Sequence, residues 1–359
     1  MNYYEKLLDL NTLYDAFQKY KSGVDWKCSV QRYEANLLSN LYSLRKRLEN
    51  GTYKPGKSVK FTVRERGKTR NVESAPVEDK VLQRAICDYV LEPILYPVLI
   101  YNNGASIKNK GVEFTRQQLT KDLREYYHEH GSDGYILVGD FKNFFGSIPH
   151  DKLIESLGKY VKDEEVMNLL KMVIHSYSDT GIGVSIGSQA SQLFGVYYPT
   201  PIDRYCSIVK GCKYYARHMD DFYVIHYDKA FLKELLLGIK EIATELGLTL
   251  NEKKTQICRI NKGFVFLKQF IFLTDTGKIV RRPHKGSIIR ERRKLKSFKK
   301  KLDNKEIELI AIINQYKSWR GSIGKYAKAY TIKNMDNLFG ELFFEGDKKT
   351  WKRILKENN

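Results

Sequence analysis

Two aspartates stand side by side between two strand-like runs, in Lys-Tyr-Tyr-Ala-Arg-His-Met-Asp-Asp-Phe-Tyr-Val-Ile-His-Tyr-Asp at residues 213–228. The flanking runs, 213–217 and 222–227, are rich in aromatic and β-branched residues, which favour a pleated surface. The expected element is a hairpin with Asp220 and Asp221 at its tip. Adjacent acids repel, so this tip costs stability unless a cation compensates. Hard oxygen ligands suit Mg²⁺. A solvated turn is the plainer alternative, because Asp is a common turn residue. The rest of the chain decides between them.

A third acid follows a strand-like run. Tyr135-Ile-Leu-Val-Gly-Asp is a short, nearly continuous apolar stretch that reads as a buried strand with Asp140 at its exit. Two divalent ions held ~4 Å apart by such carboxylates stabilise the attacking and leaving oxygens of a phosphoryl displacement. Nucleotidyl transfer is the reaction this suggests, although a nuclease could use the same ions. The charge agrees with a polyanionic partner. The 359 residues carry 62 basic and 42 acidic side chains, a net +20, and such an excess favours nucleic acid.

Other classes fall away. Hydrophobic residues make up 42% of the chain, enough for a folded protein of two or three domains or subdomains. The most apolar stretch, residues 89–101, carries Glu92, Pro93 and Pro97 and spans a bilayer poorly, so no membrane partner is expected. The first residues lack an apolar signal segment. Five scattered cysteines without Cys-x-x-Cys argue against a zinc site and for a reducing, cytoplasmic setting. There is no P-loop motif.

Taken in order, residues 1–60 read as helices, with Leu37, Leu41, Leu44 and Leu48 on one face and Gly51 as a stop. Residues 58–72 alternate around a basic tip of Arg64, Arg66, Lys68 and Arg70. This hairpin is either a solubilising edge or a grip for a triphosphate. A helix opens near Val77. Residues 102–112 form a polar loop, either an ordinary surface loop or one that a nucleic-acid backbone can approach closely. A helix capped by Asp163 runs to about Tyr177. A Gly/Ser-rich loop from Gly181 leads into a helix near Ser191. Residues 232–246 are helical, 248–251 return as a strand, and 263–273 form a strand region that continues past a Thr276-Gly277 turn. In 281–301 more than half the residues are Lys or Arg, against the single acid Glu291. This is expected to be a helix that contacts nucleic acid. Tyr316, Trp319, Tyr326 and Tyr330 either stack on bases or pack the last domain.

These blocks, in this order, resemble those of a reverse transcriptase over nearly the whole chain. Asp140-Phe-Lys-Asn-Phe-Phe-Gly-Ser-Ile-Pro-His resembles the first catalytic block and Ala216-Arg-His-Met-Asp-Asp-Phe the second. Ser185-Ile-Gly-Ser-Gln-Ala-Ser-Gln, Leu250-Asn-Glu-Lys-Lys-Thr and Gly263-Phe-Val-Phe-Leu-Lys stand in the places of the others. The resemblance implies an α+β fold, a right-hand polymerase with fingers, a palm of largely antiparallel sheet backed by helices, and a helical thumb. Its expected divisions are 1–57 as a helical extension, 58–134 as fingers, 135–280 as palm and 281–359 as thumb.

The resemblance also implies roles. Asp140, Asp220 and Asp221 would be catalytic, and with Phe141 they would form the site of two Mg²⁺ ions, for which Mn²⁺ is a substitute. Arg64, Lys68, Arg70, Phe145, Gln189 and Lys254 would bind the dNTP, with the Phe145 ring screening against a 2′-hydroxyl and Lys254 protonating the leaving pyrophosphate. Phe264, Phe266, Leu267 and Lys268 would grip the primer. Arg281, Arg282, Arg290, Arg292, Arg293 and Lys294 would hold nucleic acid. The implied partners are an RNA template, an RNA or DNA primer and dNTPs.

Departures from the family pattern point to a subclass. His218 replaces a Tyr or Phe, and Lys268 stands where many relatives have Gly. Ile186 before Gly187, with Gln192 after Ser191, is similar to the bacterial diversity-generating retroelement enzymes. Those copy a structured element RNA with poor fidelity and work with a small helical accessory protein. Group II intron-like and antiphage defence reverse transcriptases share much of the plan, the latter making cDNA from an associated noncoding RNA. An alternative from another class is a catalytically silent RNA-binding scaffold.

Overall fold

The computed structural model describes residues 2–65 and 68–356. The chain divides into two compact units, one of residues 1–122 and 135–257, the other of residues 123–134 and 258–359.

In the first unit the N-terminal residues are helical. Leu41, Leu44 and Leu48 of the Leu37–Glu49 helix are buried, as their spacing predicts. Strands β1 (Val59–Glu65) and β2 (Lys68–Ser74) pair antiparallel, with Val63 opposite Arg70. The helix Val77–Ile86 follows and buries Val81, Leu82 and Ala85.

The central sheet holds the acids. β3 (Tyr135–Asp140) is buried along almost all its length, as a near-continuous apolar run is when both faces of its sheet are covered. β4 (Tyr214–His218) and β5 (Asp221–His226) form the expected hairpin, and β5 pairs antiparallel with both β4 and β3. β6 (Gln256–Arg259) completes the order β4-β5-β3-β6, and the chain passes from the first unit to the second within it. Gly139 lets β3 and β5 close up. A Cβ there would lie 2.2 Å from the Phe222 ring, which stands opposite in register.

Helices back this sheet. Asp163 caps Glu164–His175 by accepting from the Val166 N–H at 3.1 Å. Ser188 caps Gln189–Tyr197, and Asp228 caps Lys229–Glu245. After the last of these the chain turns at Gly247, whose φ of +72° is the left-handed region that glycine adopts without strain.

One expectation fails here for a local reason, and one open alternative is narrowed. Residues 248–251 do not form a strand. They make one antiparallel bridge, Leu250 with Phe141, at the very end of β3, where too little strand is left to extend the pairing. The 102–112 loop is not a simple surface loop. Asn103 is buried and bridges Arg217 at the edge of β4, and Asn102 donates to the Tyr215 carbonyl at 3.0 Å.

The second unit contains a meander of β7 (Phe264–Phe266), β8 (Gln269–Leu273) and β9 (Ile279–Pro283). Its helical part packs Leu295, Ile312, Ile313, Tyr316, Met335 and Phe339 together. The Tyr316 and Phe339 rings stack at 4.3 Å. Asp336 accepts from Tyr316 Oη at 2.8 Å and from Arg320 Nε at 2.9 Å. The basic segment is divided differently from the expectation. Arg281 and Arg282 lie in β9, paired with Ile271 and Phe270, and the helix Lys285–Asp303 begins only after them. β-branched Ile279 and Val280 carry the strand pattern into the first two arginines.

Among the described residues no helix is long and apolar enough to cross a membrane. All five cysteines are free, and Cys87, Cys206 and Cys212 are buried.

Candidate active site

β3 ends, and β5 begins, on an acid. Register places Asp140 directly opposite Asp221, and His218 opposite Asp221 on the other side. Asp220 occupies the turn between β4 and β5, and its carbonyl accepts from the Phe141 N–H at 3.3 Å. Like charges opposed across a sheet repel, and the site records that repulsion. Burial first, then Asp220 and Asp140, push the Asp221 carboxyl up to about 7.

Two residues of the 248–255 segment answer the buried Asp140. Lys254 Nζ donates to Oδ2 at 2.5 Å. Asn251 donates from Nδ2 to Oδ1 at 3.0 Å and from its backbone N–H to the Asp140 carbonyl at 2.7 Å. Burial pulls the Lys254 ammonium down, but the bond to Asp140 and the neighbouring acids outweigh it and its net shift is upward. Asn251 was not among the residues expected from sequence. Its signal was its place directly before the Glu-Lys-Lys run.

The donors fit a hard divalent cation: three carboxylates in one corner, one of them raised by burial and then by the other two. Among the described residues no three acidic, His or Cys side chains already stand as a formed metal set. The Lys254 ammonium takes the position of a cation against Asp140 instead.

Phe145 is half-buried, and its ring meets Phe144 edge-on at 5.4 Å. The Val184 N–H donates to its carbonyl at 2.8 Å. Gly195 joins this ring to the acidic turn, since a Cβ there would lie 3.1 Å from the Phe145 ring and 3.0 Å from Met219 Sδ. The loop before this helix lies against β2, where Ser185 Oγ donates to the Glu73 carbonyl at 3.4 Å. Gln192 Nε2 closes the loop onto the Ile186 carbonyl at 3.3 Å.

The other expected site residues are placed elsewhere. Gln189 reaches Asp88 Oδ1 at 3.5 Å, an acid that also holds Lys19 and Arg84. The backbones of Arg64, Lys68 and Arg70 lie in the β1–β2 hairpin, while their side chains are outside the described residues. In the second unit Phe264 and Phe266 are buried. Leu267 and Lys268, with φ of +43° and +67°, form the tight turn after them, and the Lys268 side chain is exposed. Arg290, Arg292, Arg293 and Lys294 are exposed along the basic helix. Arg282 is half-buried, with its guanidinium 5.1 Å from the Phe272 ring centre.

His218 Nδ1 lies 3.1 Å from Thr115 Oγ1. Burial first, then Arg116 and Arg217, pull this imidazole from 6.5 down to about 4. Its contribution to stability is full above the unfolded value of 6.5 and is lost as pH falls from there through about 4. The His218 ring resonance is therefore expected to stay flat in NMR titrations between about pH 5.5 and about pH 8. A midpoint near 6.5 would show an ordinary solvated imidazole.

Comparison with known proteins places these observations. Residues 54–295 match the family model described as reverse transcriptase (RNA-dependent DNA polymerase). Protein YkfC of Escherichia coli is 24% identical over 277 residues, 65% of this chain and 71% of that protein. An uncharacterized 91 kDa protein in a cob intron of Schizosaccharomyces pombe is 25% identical over 170 residues, 45% of this chain and 20% of that protein. Among solved structures, telomerase from Candida albicans in complex with a fragment of telomeric RNA has a TM-score of 0.48 at 14% identity, covering 84% of this chain and 61% of that one. Apo telomerase from Candida tropicalis has a TM-score of 0.47 at 12% identity, covering 67% and 59%.

Proposed function

The chain belongs to the reverse transcriptase family, and from that premise we propose that it copies a structured RNA into DNA by nucleotidyl transfer at Asp140, Asp220 and Asp221. The observation that carries this is the convergence of the three acids at one corner of the central sheet, inside the matched region, with Lys254 drawn onto Asp140. In this reading residues 58–134 are fingers, 135–280 palm and 281–359 thumb, with 1–57 as an extension.

Reverse transcriptases generally use divalent ions. Here Asp140, Phe141, Asp220 and Asp221 would hold two, Mg²⁺ on the strength of the all-oxygen donors, and the pair would supply the charge that activates the primer hydroxyl and stabilises the leaving oxygen. The chain's own side chains supply the rest. Phe145 presents a ring edge that excludes a 2′-hydroxyl. Lys254 carries a proton within reach of the acids and gives it to the leaving pyrophosphate. Arg64, Lys68 and Arg70 of the β1–β2 hairpin neutralise the triphosphate. Lys268 and the backbone beside it steady the primer end. Arg290, Arg292, Arg293 and Lys294 follow the phosphates of the template–primer, so binding weakens with salt.

The substrate is a retroelement's own structured RNA, recognised by shape and unpaired bases. The loop sequence from Ile186 to Gln192 favours the diversity-generating type, which copies with poor fidelity beside a small accessory protein.

The test is to purify the chain with its bound RNA, add dNTPs and Mg²⁺, and sequence both nucleic acids. One structured RNA copied with errors concentrated at one template base is the expected result. Accurate or repetitive cDNA would move the subclass to a defence role, and bound RNA without any cDNA would leave only a scaffold.

A further inference from the structure

Among the described residues Arg217 is the largest fully buried one. A guanidinium in that setting is costly unless every direction is answered. Asp203 answers two, accepting from Nε at 2.7 Å and from Nη2 at 2.5 Å. Tyr215 Oη donates to the same carboxylate at 2.6 Å. The ion pair is complete with these contacts, yet the guanidinium reaches further. Nη2 donates to the Val196 carbonyl at 2.7 Å, in the last turn of Gln189–Tyr197. Nη1 donates to the Met219 carbonyl at 2.9 Å.

Met219 directly precedes Asp220. Its φ is +59°, a left-handed conformation that a side chain other than glycine adopts only when the surroundings impose it. Among the contacts the turn makes, the Arg217 bond fixes the peptide that links Met219 to Asp220. Arg217 is itself fixed by backbone, donating to the Asn102 carbonyl at 3.3 Å and accepting from Gly104 at 3.0 Å. The planar cation thus ties the acidic turn to Gln189–Tyr197 and to Asp203 in the short helix Thr200–Arg204, while the Arg217 backbone ties in the 102–105 loop. Lysine offers no such fork.

We propose that Arg217 is a positioning residue for nucleotidyl transfer: anchored on Asp203, its guanidinium holds the Met219 and Val196 carbonyls and so sets where the Asp220 carboxylate stands. This rests on the polymerase reading above. A purely structural pair makes a different prediction, since buried ion pairs can be exchanged for apolar groups of similar volume without loss of fold. What apolar groups cannot supply is the clamp on the two carbonyls.

The experiment compares the parent with the triple variant R217M/D203L/Y215F, which removes the charge pair and leaves no buried hydroxyl stranded, and with R217K. Hydrogen exchange of the peptide spanning residues 218–222 is measured on metal-free protein, and steady-state DNA synthesis alongside it. The triple variant is expected to melt near the parent. Its turn should exchange at least about tenfold faster, and kcat should fall about 10²-fold with the dNTP KM little changed, the size of effect that a 1 Å misplacement produces. In R217K, which keeps the charge for Asp203 but not the fork, the turn should also exchange faster and kcat should fall about tenfold. If the triple variant does not fold, R217K alone carries the comparison. Parent-like turn exchange and kcat in whichever folded variant is measured would overturn the proposal. A parent that makes no DNA would instead sink the polymerase reading, while the exchange measurement would still decide whether Arg217 holds the turn.

Discussion

Asp220→Asn is expected to abolish DNA synthesis while leaving the protein as stable as the parent or more so. The two halves of this result have one cause. Burial first, then Asp220 and Asp140, raise the Asp221 carboxyl to about 7, so the acidic corner stores both a desolvation cost and repulsion. An amide at position 220 relieves part of it, and stability is expected to rise by about 1 kcal/mol, as relaxing a strained functional site commonly does. The same amide cannot hold a divalent ion with a full charge. A fall in kcat of about 10³-fold or more corresponds to about 4 kcal/mol of lost transition-state stabilisation. Primer extension with thermal melting checks both. Retained synthesis would remove Asp220 from the site, and a large fall in melting temperature would make it structural.

Phe145→Ala should change what the site accepts more than how fast it works. The ring is held by Phe144 edge-on and by the helix at Gly195, and its backbone by the Val184 N–H on the Phe145 carbonyl. A ring so fixed excludes by shape, and truncation opens room for a 2′-hydroxyl. Discrimination between a dNTP and its ribonucleotide is expected to fall by about 10²-fold in kcat/KM, the range that steric selection supplies. Most of the change should come from the ribonucleotide. Competition between dGTP and GTP on one template measures it, and an unchanged ratio would mean that selectivity resides elsewhere.

Local sequence carried the acids well. Tyr135–Asp140 was legible because a fully buried strand is a continuous apolar run, and the β4–β5 hairpin because its aromatics alternate around two acids. Legibility ended where contacts are made over long sequence separations. Residues 248–251 have strand-like composition, but their backbone groups are drawn to the end of β3, with Asn251 bonding Asp140. Arg281 and Arg282 share the charge of the helix beyond them, yet Ile279 and Val280 hold them in a sheet. Phe264 and Phe266 fit the family motif, and only the folded meander reveals both rings as buried. Arg217 and Asp203 were invisible as a pair, since 14 residues separate them and, although Arg217 lies in the Ala216–Phe222 block, Asp203 stands in no recognisable motif. The one clue was a charge amid Tyr-Tyr-Ala, where a core strand has no place for it unpaired.

The contact between Lys254 and Asp140 has a consequence for the enzyme at rest. The acidic corner has a tethered counter-ion of its own, swung in on a segment that Asn251 pins to the same carboxylate. If a divalent ion is held at Asp140, as proposed above, its binding there would compete with the Lys254 ammonium. Such a site would bind the ion less tightly than a bare set of acids and would keep its corner assembled without it. Its activity would follow the free divalent concentration around it, and each cycle would begin from an ordered corner.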